Sequence, residues 1–368
     1  MTVFITLFIS FIFIVFYIRW KHPFWSIQPV NHHYDIFFWG RTREIRRELP
    51  KKNKFFNPDI VFQKDNIQWN DFHKLISRHF LNNNGNTFTP TINELKPYFI
   101  GHSLPTYISF MYKDELVYNS KPKKKLIATI TSRPLTFYGK TKMNLYYVDY
   151  LCVNAEERGK RITPQMIQTH EYHQSHHSKT QVSLFRREGN VPLLVPFVRF
   201  RCTIFSMVYW KEVTTSYKLI RITKNNIHSY MDFIDNYSKE FMIKNDVGNI
   251  LELIKTENII IYLCLKDKFS NAYFFRKSCT KIDGKDMLTL YASLKTNDDF
   301  IHLFKSCLTD VVKRSSYVYL SVEEIGDNIE ISNNLREKTF PTDTINCGYY
   351  FYNYMHKTVK AEKCFILT

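Results

Sequence analysis

Residues 2–18 read TVFITLFISFIFIVFYI without a charge, and Arg19, Trp20, Lys21 and His22 follow at once. As a helix this run rises about 25 Å, the depth of a thin bilayer core. A cleaved signal would have a basic start and a small-residue cleavage site, and neither is present. The pattern predicts a transmembrane anchor over residues 1–22, with Tyr17 and Trp20 at the interface. Arg19 and Lys21 on its C-terminal side place the rest of the chain in the cytosol. Further on, Trp69, Phe72, Leu75, Ile76 and Phe80 share one face of a helix over 69–80, and 92–99 reads helical too. Strands are expected over 126–135 and 143–153. Thr163-Pro164 then supplies an N-cap and a first-turn proline for a helix to about His177, and a strand over 181–187 follows. A second series has helices over 226–244, 246–255 and 298–313. Its strands are expected over 259–265, 272–278, 287–293 and 316–322, with β-prone stretches at 348–355 and 363–368. The order implies an α/β (α+β) chain of two similar units with a boundary near 205–215.

Composition narrows the function. Hydrophobic residues are 44% and charged residues 23%, which excludes a mainly disordered chain and a polytopic membrane protein. Lys+Arg 51 against Asp+Glu 34 gives +17, a balance that asks for an anionic partner. The 31 Phe and 24 Tyr, beside abundant Asn, Ile and Lys, fit an AT-rich genome such as that of a large DNA virus. Seven cysteines without a C-x-x-C pair are neither a disulfide framework nor a Cys-only zinc site, and imply a reducing compartment. His170, His173 and His177 share a helical face as metal ligands could, but a solvated helix end accounts for them, and no metal is expected. The run 121–125 is either a solvated loop or a contact for anionic lipid. The aromatic tract 349–354 reads as a buried strand.

The segment Arg158-Gly159-Lys160-Arg161-Ile162-Thr163-Pro164 carries the clearest chemistry. A helix N-terminus offers unpaired N–H groups, Gly159 allows close backbone approach, and three cations add charge-assisted bonds. Preceded by a strand and followed by a helix, this suits a pyrophosphate; an ordinary basic turn is the alternative.

Tyr150-Leu151-Cys152-Val153, four residues, and then this segment resemble the signature N-F-L-C-V-H … R-S-K-R-[VL]-A-P of N-myristoyltransferases (glycylpeptide N-tetradecanoyltransferases). Phe24-Trp25-Ser26-Ile27-Gln28-Pro29-Val30 resembles the family's F-W-[DKS]-T-Q-P-V. Tyr349-Tyr350-Phe351-Tyr352-Asn353-Tyr354 followed by Ala361-Glu362-Lys363 resembles Y-Y-L-Y-N-W … A-E-K. The resemblance runs in order from about residue 23 to 368. It implies two tandem acetyltransferase-like (GNAT-like) halves with mixed sheets: 23–208 for the acyl-CoA and 209–368 for the peptide. It implies that Pro23, Phe24 and Trp25 wrap the CoA and that Gly159, Arg161, Ile162 and Thr163 hold its phosphates. Cys152, Val153, Arg158 and Lys160 complete the donor site. Tyr150 and Leu151 would offer backbone N–H groups to the thioester carbonyl, and the terminal carboxylate of Thr368 would take the proton of the acceptor amine.

The acceptor side departs from the family pattern. Its asparagine is Asp149, a threonine is Arg186, a tyrosine is Phe80, and its acidic loop is Asn82, Asn83 and Asn84. The tail after Lys363 is one residue shorter. The expected function is transfer of myristate from myristoyl-CoA, a substrate rather than a resident cofactor, to the N-terminal glycine of proteins. The expected enzyme is a membrane-bound monomer with no nucleic-acid partner. Asp149, Arg186 and the asparagines motivate one alternative, acyl transfer to another amine; a further alternative is a non-enzymatic basic protein that uses the fold to bind membrane or nucleic acid.

Overall fold

The computed structural model describes residues 2–35, 41–83, 85–115, 123–189 and 193–368. Lys121, Pro122 and Asn84 lie outside these, as do the side chains of Thr2, Val3, Phe4, Leu7, Asn82 and Asn83. The first part of the chain forms α1 (Thr2–Lys21), β1 (Arg43–Glu44), β2 (Val61–Gln63), α2 (Trp69–His79), β3 (Asn82–Asn83), β4 (Asn86–Phe88), α3 (Ile92–Leu95), β5 (Tyr107–Glu115), β6 (Lys123–Tyr138), β7 (Lys142–Val153), α4 (Ile162–Ser178), β8 (Ser183–Glu188) and β9 (Val198–Ser206). The second forms β10 (Lys218–Arg221), α5 (Ile227–Asp235), β11 (Phe241–Lys244), α6 (Val247–Lys255), β12 (Ile259–Leu265), β13 (Phe269–Ile282), β14 (Lys285–Leu294), α7 (Phe300–Lys313), β15 (Tyr319–Glu323), α8 (Asn328–Arg336), β16 (Asp343–Tyr352), β17 (Tyr354–Met355) and β18 (Cys364–Ile366).

One mixed sheet runs through the molecule in the order β10-β12-β13-β14-β15-β9-β16-β8-β7-β6-β11-β18, with β5 also on β6. Each half repeats one plan. Antiparallel β5, β6 and β7 lead through α4 to β8, which is parallel to β7; antiparallel β12, β13 and β14 lead through α7 to β15, parallel to β14. A parallel neighbour requires a crossover, and each helix supplies one. The third strand of each half is bulged. The register slips where Tyr150 and Leu151 oppose Ile130, and again at Tyr291. At the centre the halves exchange strands: β9 lies beside β15, β16 lies beside β8, and β9 and β16 pair with each other.

Three expectations need correction. First, α1 forms over the apolar segment with Arg19 and Lys21 in its last turn, and Phe8, Phe13, Phe16 and Trp20 are exposed. Yet among the described residues no helix is long and apolar enough to cross a membrane. The expected transmembrane helix is therefore not shown; Ile18 of α1 packs against the cluster of Val30, Leu193, Leu194, Tyr350 and Tyr352. Second, the helix expected over 226–244 ends at Asp235. Phe241, Met242 and Ile243 are all buried in β11, between β6 and β18; a run buried on both faces suits a central strand. Third, α4 starts at Ile162, so that Arg161, in the left-handed region (φ 59) and making no capping hydrogen bond, holds the N-cap position rather than Thr163.

Candidate functional site

The site opens where β7 and β8 part. Their pairing runs only from Tyr146↔Ser183 to Val148↔Phe185, although β7 continues to Val153 and β8 to Glu188. The bulge, with Tyr150 at φ 47, turns β7 away from its neighbour. A cavity of about 950 Å³ fills the gap, and Trp25, Phe80, Asp149, Tyr150, Leu151 and Arg186 are on its wall. Six residues scattered through the sequence are thereby brought together. Trp25 stacks on Phe185 at 5.9 Å, and Phe24, buried, meets Trp25 edge-on at 5.2 Å. Pro23 stands beside them, its carbonyl accepting from the Ser26 hydroxyl at 3.4 Å. Phe80 lies half-open beside Phe88 and Tyr150, at 5.3 and 5.6 Å.

The backbone N–H of Tyr150 donates to Asp149 Oδ1 at 2.8 Å. A thioester carbonyl would therefore compete with Asp149 for it, while Leu151 stands next in the bulge. Cys152 and Val153 are core residues, and burial pushes the Cys152 thiol up to about 12. Their side chains serve packing, and only their backbone is available to a donor.

The basic loop divides its cations. Arg158 donates from Nε to the Val153 carbonyl at 3.2 Å and from Nη2 to the His79 carbonyl. Lys160 pairs with Glu157 at 2.8 Å, which also receives Lys113 at 2.8 Å. Those hydrogen bonds, Lys113's first, hold the Glu157 carboxyl down at about 2. Arg161 is exposed, with no hydrogen-bond or ion-pair partner among the described residues. A side chain at Gly159 (φ 82) would meet nothing within 4 Å. The first turn of α4 has neither an acidic residue nor a side-chain cap. Gly159, Arg161, Ile162 and Thr163 thus remain open to an anion, whereas Arg158 and Lys160 serve the loop itself.

Three charged residues on the cavity wall were not expected from the sequence. Arg186 and Arg276 both donate to Glu323 Oε1 at 2.8 Å. Arg186 also reaches the Cys202 and Cys347 thiols at 3.1 and 3.6 Å. Arg276 donates in addition to a terminal oxygen of Thr368 at 2.9 Å. Burial works against the charge on Arg276, but the pull of Glu323, Tyr98 and Tyr349 outweighs it and holds the guanidinium charged. Thr368 is itself absent from the cavity wall. Arg133, 2% exposed, lies between the rings of Tyr98 and Tyr147 at 4.8 and 4.9 Å, with Nε and Nη1 unbonded and Nη1 3.9 Å from Asp149 Oδ2. The available signal was a charge within or at the end of an apolar strand run: Arg133 in 126–135, Arg276 beside Lys277 in 272–278, and Glu323 closing 316–323.

His170 bridges the hydroxyls of Ser109 and Ser132 at 2.8 and 2.9 Å, while His173 and His177 lie beside Phe62. Among the described residues no group of three or more His, Cys, Asp or Glu could hold a metal. Asn84 lies outside the described residues, as do the side chains of Asn82 and Asn83; Asn86 is on the cavity wall.

Residues 40–183 match the family model "Myristoyl-CoA:protein N-myristoyltransferase, N-terminal domain". Over those residues the chain is similar to the N-terminal domain of N-myristoyltransferases. Among solved structures, an N-myristoyltransferase of Saccharomyces cerevisiae with bound myristoyl-CoA is 16% identical with TM-score 0.73, over 92% of this chain and 94% of that one. A second structure of the yeast enzyme with bound myristoyl-CoA is 15% identical with TM-score 0.74, over 93% and 90%. At that identity the likeness establishes a shared fold. No curated protein matches the sequence. None of these comparisons supports the expectation of a viral source.

Proposed function

We propose that the chain transfers myristate from myristoyl-CoA to the N-terminal glycine amine of acceptor proteins, by direct attack and without an acyl-enzyme. The observation that carries this is the parting of β7 from β8 at the Tyr150 bulge, beside an uncapped basic helix start, within the family's domain. The CoA phosphates take the N–H groups at Gly159, Ile162 and Thr163 and the guanidinium of Arg161. The pantetheine follows the gap past Trp25 and Phe185. The thioester carbonyl accepts from Leu151 N–H, and from Tyr150 N–H once Asp149 turns aside. The glycine amine approaches from the side of Phe80, Asp149 and Arg186. No resident cofactor enters the reaction. α1 embeds its exposed apolar surface in a membrane, and Arg19 and Lys21 hold the body on the cytosolic side.

A second reading, transfer to a different amine, is favoured by one observation: on the acceptor side Arg186 is locked to Glu323 and two thiols. Following CoA release with a thiol reagent separates the two. Release is expected with a glycine-start peptide and not with the same peptide N-acetylated. Release that depends instead on a lysine side chain supports the second reading. Deletion of residues 2–21 is expected to leave turnover intact and to abolish flotation with anionic vesicles; a truncated chain that still floats contradicts the role given to α1.

A further inference from the structure

Helix α4 faces the cavity with Ile167, His170, Glu171 and Gln174, a stripe along one helical face. A channel for a hydrocarbon chain calls for an apolar stripe, and three of these four positions are polar. The direction of α4 decides which part of a bound acyl-CoA meets them. The helix starts at Ile162, beside the loop open to an anion, and runs back against β7 as the crossover to parallel β8. Ile167 packs in one cluster with Val148 and Leu151, level with the bulge where the thioester is proposed to bind. His170 and Gln174 stand one and two turns further on. There Gln174 meets Ser183, the first residue of β8, which still pairs with Tyr146. This is the closed inner end of the gap, and it lies on the acyl side of the thioester.

Two of the three polar side chains have their partners. His170 is held through both ring nitrogens by Ser109 and Ser132, and Glu171 is held by Arg46 and Gln168. Gln174 is incomplete. It is 1% exposed and donates from Nε2 to the Ser183 hydroxyl at 3.1 Å, while Oε1 has no hydrogen-bond partner among the described residues. Of the described residues on the cavity wall, Arg133 alone shares that condition, and it is ion-paired with Asp149 at 3.9 Å. A buried amide oxygen left unpaired carries a desolvation cost that a plain hydrocarbon chain does not return. A hydroxyl would return it. Because a hydroxyl both donates and accepts, it answers the free position whichever end of the amide is turned toward it.

We infer that Gln174 recognises a hydroxyl group on the acyl chain, so that a hydroxylated long-chain acyl-CoA is held more tightly than myristoyl-CoA, which is also accepted; the inference rests on the acyl-transfer reading of the cavity. The chain hydroxyl donates to Gln174 Oε1, and Ser183 keeps the amide in place through Nε2. Gln174 lies seven residues beyond Ile167, a helix rise of about 10 Å. A hydroxyl in the outer half of the chain therefore meets it, and one beside the thioester does not.

The test is isothermal titration of the full-length chain with myristoyl-CoA and with hydroxymyristoyl-CoA esters whose hydroxyl is moved carbon by carbon along the chain. One position in the outer half is expected to bind about 10-fold more tightly than the plain chain, the scale of a hydrogen bond otherwise left unmade. The ester hydroxylated beside the thioester should show no such gain. Q174M replaces the amide with an apolar group of similar length. It should abolish the gain while binding plain myristoyl-CoA within about threefold of the unaltered chain. Equal affinity across the whole series overturns the inference, since an ordered water then completes Gln174. A gain that survives in Q174M overturns it as well. The series on the unaltered chain stands as a test even if Q174M does not fold. If the unaltered chain binds none of the acyl-CoA esters, the acyl-transfer reading itself falls and takes the role of Gln174 with it.

Discussion

Arg158, Lys160 and Arg161 look alike in the sequence, and the fold gives them different work. Arg158 ties the loop to β7 and α2 through two carbonyls, and Lys160 is neutralised by Glu157. Arg161 is left to meet a phosphate. Replacing Arg161 with alanine is expected to weaken acyl-CoA binding by roughly 10- to 100-fold, the loss of a charge-assisted bond. R158A should instead lower the melting temperature, with a smaller effect on affinity. Isothermal titration and a thermal melt on both variants check this, and unchanged affinity in R161A counts against the phosphate site. The basic motif was legible as a candidate anion site because phosphate chemistry asks for cations beside a helix start. The division of labour was not, because partners such as His79 come from another element. Arg133, Arg276 and Glu323 escaped notice for a related reason: a charge in an apolar strand run does not reveal its counter-ion, which comes from another strand.

At the scale of elements, strands with dense apolar runs were legible, and 259–265 coincides with β12. The mistaken helix over 226–244 shows the limit, since its second part is a short run that periodicity alone cannot assign. Helix α4 was found by its proline and not by its face, because its inner side is polar: Gln168, Thr169, His170, Glu171, Gln174 and Ser175 are all buried. That choice has a consequence for stability. Burial, first, and His173, second, lower the His170 pKa from 6.5 to about 3. Between those values the unfolded chain binds a proton that the folded chain refuses. The contribution is therefore complete above about pH 6.5 and is lost as pH falls toward 3. Melting temperatures measured from pH 7 to 4 should fall more steeply in the unaltered chain than in H170Q; parallel curves would show that His170 carries no such linkage.

At the scale of the molecule, the tandem order of the two halves could be read from the chain, but the exchange of β9 and β16 could not. It depends on which distant strands complete each sheet, and no local pattern records that. The halves are further locked where Gly101 and Gly248 meet backbone to backbone, and where buried Asn249 donates to the carbonyls of Pro97 and Ile100 at 2.9 and 2.8 Å. N249A is expected to cost about 2 kcal/mol, since it leaves both acceptors without that donor; an unchanged urea midpoint would show that this lock is dispensable. The +17 balance also changes meaning. Some cations hold the loop and the cavity wall, and Arg161 is the one proposed to meet a phosphate. The central claim is that this cavity moves a myristoyl group onto a glycine amine. Mass spectrometry of a glycine-start peptide incubated with the chain and myristoyl-CoA tests it most directly. The account predicts a peptide carrying myristate as an amide on its first residue; an unmodified peptide, with acyl-CoA bound and intact, would contradict it.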